Sequence, residues 1–148
     1  MRMKSLDYPQ PSSPAVSRVM RANRKVDSRP ERLLRSEMWR MGLRFRKYLR
    51  VALPGRSVVL DAGFERLRLA LFVDGCFWHG CPLHGNVPRT NSNYWTAKLE
   101  RNLARDVAVN RALVAQGWAV LRVWEHDDPS EAAERVRTTL EFLRSLRT

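Results

Sequence analysis

The chain has 148 residues, enough for one domain with its own core. It is 44% hydrophobic and 28% charged, as in an ordinary globular protein. No apolar run approaches the roughly 20 residues needed to cross a bilayer. The formal net charge is +12, and residues 1–50 carry 14 Lys/Arg against 4 Asp/Glu, a local excess of +10. A basic face of that kind is the footprint of a polyanion partner, most often nucleic acid. An arginine-biased composition is the plainer alternative, since 23 of the 27 basic residues are Arg.

The predicted elements begin after a leader. Pro9, Pro11 and Pro14 with paired serines mark residues 1–14 as disordered, and residues 15–148 are expected to form a single domain. The start, Met1-Arg2-Met3-Lys4, leads into prolines rather than an apolar segment, so no secretory signal is read. Residues 15–23 suit a short basic helix carrying Met20 and Arg21. Asp27-Ser28-Arg29-Pro30-Glu31 is a helix start, with Ser28 as cap and Pro30 in the first turn. That helix is expected to run to Met41, stop at Gly42 and bury Leu33, Leu34, Met38 and Met41.

Leu43 to Val51 reads as an edge strand and Leu53-Pro54-Gly55 as a turn. Ser57 to Phe64 reads as a strand, and Leu67 to Val73, nearly all apolar, as a central one. From Asn93 to Gln116, Leu99, Leu103, Val107, Leu113 and Val114 recur at helical spacing, and Gly117 closes the helix. Trp118 to Trp124 is expected to be a buried strand. Ser130 to Leu146 suits a last amphipathic helix with Val136, Leu140 and Leu143 inward. The order α-α-β-β-β-α-β-α gives an α/β fold, a mixed central sheet flanked by helices.

Both cysteines and all three histidines follow or end apolar strand-like segments. Cys76, Cys81 and His84 offer three zinc ligands from one tight loop, and His126 a fourth from a neighbouring strand end. Four ligands would make a closed, structural site. Two buried cysteines with two surface histidines fit the spacing as well, and by spacing alone fit it better. Setting the zinc ligands aside leaves His79, a natural general base for activating water. Phosphodiester hydrolysis also needs a hard cation held by carboxylate oxygen. Asp61 interrupts an apolar strand-like stretch and is one such acid; Asp74 is another, and Asp106 could orient His79. Each acid alone reads as solvated or salt-bridged. Together with His79 and a basic face, they point to a nuclease.

Leu53-Pro54-Gly55, Asp61, Phe72 through Gly75-Cys76-Phe77-Trp78-His79, Trp95, Asn102 to Asp106 and Gly117 through Trp124-Glu125 resemble the very short patch repair (Vsr) endonucleases. Residues 17–23 and Arg29-Pro30-Glu31 also look like that family's N-terminal region. The resemblance implies a restriction-endonuclease-like (PD-(D/E)xK-type) fold and magnesium-dependent nicking of DNA. The nick would fall 5′ of the thymine in T·G mismatches left by 5-methylcytosine deamination.

Asp61 then matches the magnesium-binding aspartate, with the Val73 backbone carbonyl as a further ligand. His79 matches the water-activating histidine, and Asp106 the acid paired with it. Phe77, Trp78 and Trp95 match aromatics that wedge beside the mismatch, where a poorly stacked wobble pair is cheaper to open. From those residues alone, core packing would be the simpler account. Met20, with Arg21 beside it, matches a residue inserting from the opposite groove. Cys76, Cys81, His84 and His126 fall at the structural zinc ligands.

The implied setting is the bacterial cytoplasm, with a monomer working beside a cytosine-5 methyltransferase and mismatch-repair proteins, and no membrane. Asp74 stands where some relatives carry histidine, Leu60 where proline often precedes the aspartate, and Gly63 where an apolar residue is expected. The rival readings are a restriction-type or structure-specific endonuclease on the same scaffold, and a non-catalytic, zinc-stabilised DNA-binding module.

Overall fold

The first of the described helices, α1 (Arg29–Arg40), starts where the capping residues place it. Ser28 Oγ accepts a hydrogen bond from the Glu31 N–H at 3.4 Å, and Pro30 lies in the first turn. Its end is a Schellman turn. Gly42, at φ +84°, lets its own N–H reach the Trp39 carbonyl and the Leu43 N–H reach that of Met38. Leu34 and Met38 are buried, and Met41 packs beside them. Leu33, expected inward, is exposed, because the buried stripe of α1 passes through 34, 38 and 41.

The structure, a computed structural model, describes residues 27–76 and 90–148. The leader 1–14 and the basic helix expected over 15–23 lie outside the described residues.

Among the described residues six strands follow: β1 (Arg46–Lys47), β2 (Arg50–Leu53), β3 (Arg56–Val59), β4 (Ala62–Phe64), β5 (Leu69–Asp74) and β6 (Ala119–Trp124). The edge strand expected over 43–51 is two strands in two sheets, divided at Tyr48, whose φ is +55°. The strand expected over 57–64 is divided too. β3 pairs back on β2 as a hairpin around the Pro54-Gly55 turn, while β4 joins the main sheet. Leu60, between them, donates its N–H to the Leu49 carbonyl at 2.8 Å.

The main sheet has the order β1-β4-β5-β6, antiparallel except for the parallel pair β5 and β6. A parallel pair needs a crossover. Here it contains α2 (Ser92–Ala115), which ends in a second Schellman turn at Gly117, φ +86°. The last helix, α3 (Pro129–Ser145), is capped by Asp128, whose Oδ2 accepts from the Glu131 N–H at 3.1 Å.

Side chains of β5 alternate between two cores, as a pleated strand requires. Leu69 and Leu71 face α1 and α3, packing with Leu34, Met38, Val136 and Leu140. Ala70 and Phe72 face α2 and the β2–β3 hairpin, with Leu53, Leu60, Val109 and Leu113. Gly63 serves this packing: a Cβ there would sit 2.5 Å from Leu49 Cδ2, so the glycine admits Leu49 rather than loosening the strand.

Two expectations are corrected. Among the described residues β6 is the sheet's edge, with only Val123 of its residues buried, not a strand buried throughout. On α2 the inward residues are Trp95, Val109 and Leu113, while Leu103, Val107 and Val114 are exposed.

Candidate active site

At the carboxyl end of β5 the alternation of the strand places an acid, Asp74, instead of an apolar side chain. Asp74 has the same parity as Phe72 and so belongs to the α2 side of the sheet; it is the buried charged residue among those described, 7% exposed. A buried carboxylate needs partners. Arg122 supplies one, its Nη1 2.9 Å from Asp74 Oδ1. Arg122 stands opposite Phe72 in the β5–β6 register, with its guanidinium 4.2 Å from the Phe72 ring centroid. The same Nη1 is 3.8 Å from Asp106 Oδ1, and Nε donates to Asn110 Oδ1 at 2.9 Å. One guanidinium therefore links the end of β5 to the middle of α2.

Asp61 lies in the break between β3 and β4. Its Oδ2 accepts a hydrogen bond from the Val73 N–H at 2.7 Å. Successive strand residues direct their polar groups to opposite sides. The Asp74 carbonyl accepts from the Glu125 N–H at 2.9 Å, toward β6, so Val73 turns its backbone groups toward β4 and Asp61. Burial pushes the Asp61 carboxyl up to about 6, and the charges of Glu31 and Asp74 add to this, against the Val73 hydrogen bond and the Arg35 charge. Glu31, in the first turn of α1, is held by Arg35 at 3.4 Å and by the Tyr48 hydroxyl at 3.3 Å.

Just beyond β5, Cys76 Sγ lies 3.1 Å from His126 Nδ1, and the Cys76 N–H donates to Glu125 Oε1 at 3.1 Å. The His126 ring stacks on Trp124 at 6.2 Å. Asp61, Val73, Asp74, Cys76, Asp106 and His126, scattered from 61 to 126 in sequence, thus gather around one strand end. Trp95, in the first turns of α2, is buried with Tyr94 edge-on at 5.0 Å. His79, Cys81, His84, Phe77, Trp78, Met20 and Arg21 lie outside the described residues. Among the described residues no group of three His, Cys, Asp or Glu is arranged to hold a metal ion. A cleft of about 750 Å³ at the opposite end of β5 contains none of these residues; Arg44, Arg46, Arg66 and Arg144 line it.

Residues 12–84 match the family described as DNA mismatch endonuclease Vsr. The type II nicking enzyme V.NaeI of Lentzea aerocolonigenes is 46% identical over 137 residues, 92% of this chain and 82% of that protein. The chain belongs to the Vsr family. The type II nicking enzyme V.XorIIP of Xanthomonas oryzae pv. oryzae is 41% identical, covering 83% of this chain and 90% of its own length. The DNA mismatch endonuclease Vsr of Escherichia coli K12 is 38% identical, covering 74% of this chain and 68% of its own.

Within this Vsr-family chain, sequence reasoning missed Arg122 and Asn110. An arginine inside an apolar strand is itself a signal, because a half-buried guanidinium requires an acid opposite it. The inward stripe of α2 carried a second signal. It runs Trp95, Asn102, Asp106, Val109, Leu113 at spacings of three, four and seven, so its middle turns polar where it faces Arg122.

Proposed function

We propose that this chain is a magnesium-dependent DNA endonuclease that nicks 5′ of the thymine in T·G mismatches arising from 5-methylcytosine deamination. The observation that carries the reading is the fixed carboxylate of Asp61, hydrogen-bonded to Val73 and within reach of the Asp74 charge, in a Vsr-family chain. Hard cations take oxygen ligands, and the donor set fits one: a carboxylate whose charge is made costly by burial and, to a lesser degree, by Glu31 and Asp74, with the Val73 carbonyl turned to the same side. When bound, magnesium would offset charge on the scissile phosphate. Asp61 and Val73 would hold the ion, His79 would take the proton from the attacking water, and Asp106 would orient His79.

A structural zinc held by Cys76, Cys81, His84 and His126 belongs to the same proposal. Zinc bonds of about 2.3 Å to sulfur and 2.0 Å to nitrogen hold tetrahedral neighbours roughly 3.5 Å apart. The 3.1 Å between Cys76 Sγ and His126 Nδ1 is compatible with that geometry after a small adjustment. Phe77, Trp78, Trp95 and Met20 would enter the base stack at the mismatch, and Arg21 would contact the backbone. The basic first third of the chain supplies attraction to phosphate. A cytosine-5 methyltransferase would supply the substrate's history, and mismatch-repair proteins would act on the nick.

A second reading has its own support. V.NaeI and V.XorIIP are named as type II nicking enzymes, without reference to a mismatch. Nicking of a matched duplex at a defined sequence is therefore the alternative. Strand-resolved cleavage of T·G and matched T·A duplexes separates the two.

A further inference from the structure

A half-buried arginine on an edge strand can be explained by one acid that it neutralises. Arg122 does more than that. Its guanidinium is 2.9 Å from Asp74 on β5, 3.8 Å from Asp106 on α2 and 2.9 Å from Asn110, one turn further along α2. Its central carbon also lies over the Phe72 ring, 4.2 Å from the centroid. Ring and amide fix the fork from two sides, leaving little rotameric freedom. A guanidinium so fixed sets the distance between two carboxylates on different elements, which a flexible ammonium would not do.

We infer that Arg122 is a positioning residue of the nicking reaction: through Asp74 and Asp106 it holds the crossover helix at the end of β5 in the arrangement that orients the general base. The inference rests on the proposed function for the identity of that base. Arg122 touches neither the scissile phosphate nor the cation in this scheme. Its effect reaches the reaction through Asp106, so losing it slows the chemical step without loosening DNA. Asp74 is then a partner of Arg122.

The test uses the full chain and a T·G duplex, with kcat and KM measured separately at a temperature where every variant is folded. Arg122→Met keeps the aliphatic length over Phe72 and removes the fork; Arg122→Lys returns the charge alone. The expected result is a fall in kcat of about ten- to a hundredfold for Arg122→Met, KM within about threefold, and partial recovery in Arg122→Lys. A kcat within about twofold of the unmodified chain, or a loss confined to KM, would overturn the inference. If the unmodified chain nicks no duplex, the proposed function falls, and Arg122 is judged on folding alone. Arg122→Met and Asp74→Asn are then combined in a double-mutant cycle. Coupling of about threefold or more in the unfolding equilibrium supports the clamp, and additivity overturns it.

Discussion

The Asp61 carboxylate and the Val73 backbone N–H are joined by a 2.7 Å hydrogen bond that ties the break between β3 and β4 to β5. That bond orients an acid whose charge is unwelcome there. The folded-state value of about 6 lies above the ordinary 3.8, so the folded chain binds more protons than the unfolded one between those values. Stability from this group is thus present at low pH, declines as pH rises through that window, and is lost above about 6. Asp61→Asn should stabilise the protein by about 1–3 kcal/mol at pH 7.5, and by almost nothing near pH 3. Urea unfolding at the two pH values checks this, and equal effects at both would contradict it.

The same substitution bears on magnesium. A cation that binds only the folded chain raises its stability by RT ln(1 + [L]/Kd). Magnesium should therefore raise the Tm of the unmodified protein above pH 6, and Asp61→Asn should abolish that increment. An undiminished magnesium shift in Asp61→Asn would remove Asp61 as a ligand.

Cys76 and His126 make a separate prediction. If they share a structural zinc, metal analysis should give about one zinc per chain, and Cys76→Ser or His126→Ala should lower both zinc content and Tm. Chelation should unfold the protein rather than merely slow its chemistry. Normal melting with zinc absent would rule out the structural site.

Packing at Gly63 can be tested without reference to function. A side chain at 63 would meet Leu49 Cδ2 at 2.5 Å, with the Leu60 Cδ1 close behind at 3.2 Å. Gly63→Val should cost about 1–3 kcal/mol through overpacking, and Leu49→Ala in the same chain should recover part of the loss. Chemical denaturation measures both, and an unchanged midpoint for Gly63→Val would show that the strand shifts freely.

The parts of the fold that were legible in the sequence are those with local punctuation. Ser28 and Pro30 begin α1, Gly42 ends it, and Gly117 ends α2, each by a specific backbone geometry. Register against distant elements was harder. Leu99, Leu103 and Val107 lie along α2 at helical spacing and offer a stripe that competes with the true inward face, which is half polar. The apolar run of β6 reads as a buried strand, whereas its position at the edge of the described sheet is a matter of topology. Tyr48 broke an apparently continuous strand through a left-handed backbone that its residue type does not announce.

The candidate site divides in the same way. Asp61, Cys76 and His126 stand out because each interrupts or ends an apolar run, and the fold brings them to one strand end. Arg122 and Asn110 matter only because β6 lies beside β5 and under α2, which local sequence does not encode.

The central claim is best tested by a strand-resolved cleavage assay with magnesium. A T·G duplex in several methylation-site contexts is compared with matched T·A controls, and Asp61→Ala and His79→Ala serve as inactive references. The account predicts a single nick 5′ of the mismatched thymine, no cut in the T·A duplex, and loss of nicking in both variants with folding retained. Equal cleavage of matched DNA, full activity in either variant, or no cleavage by folded, zinc-loaded protein would contradict it.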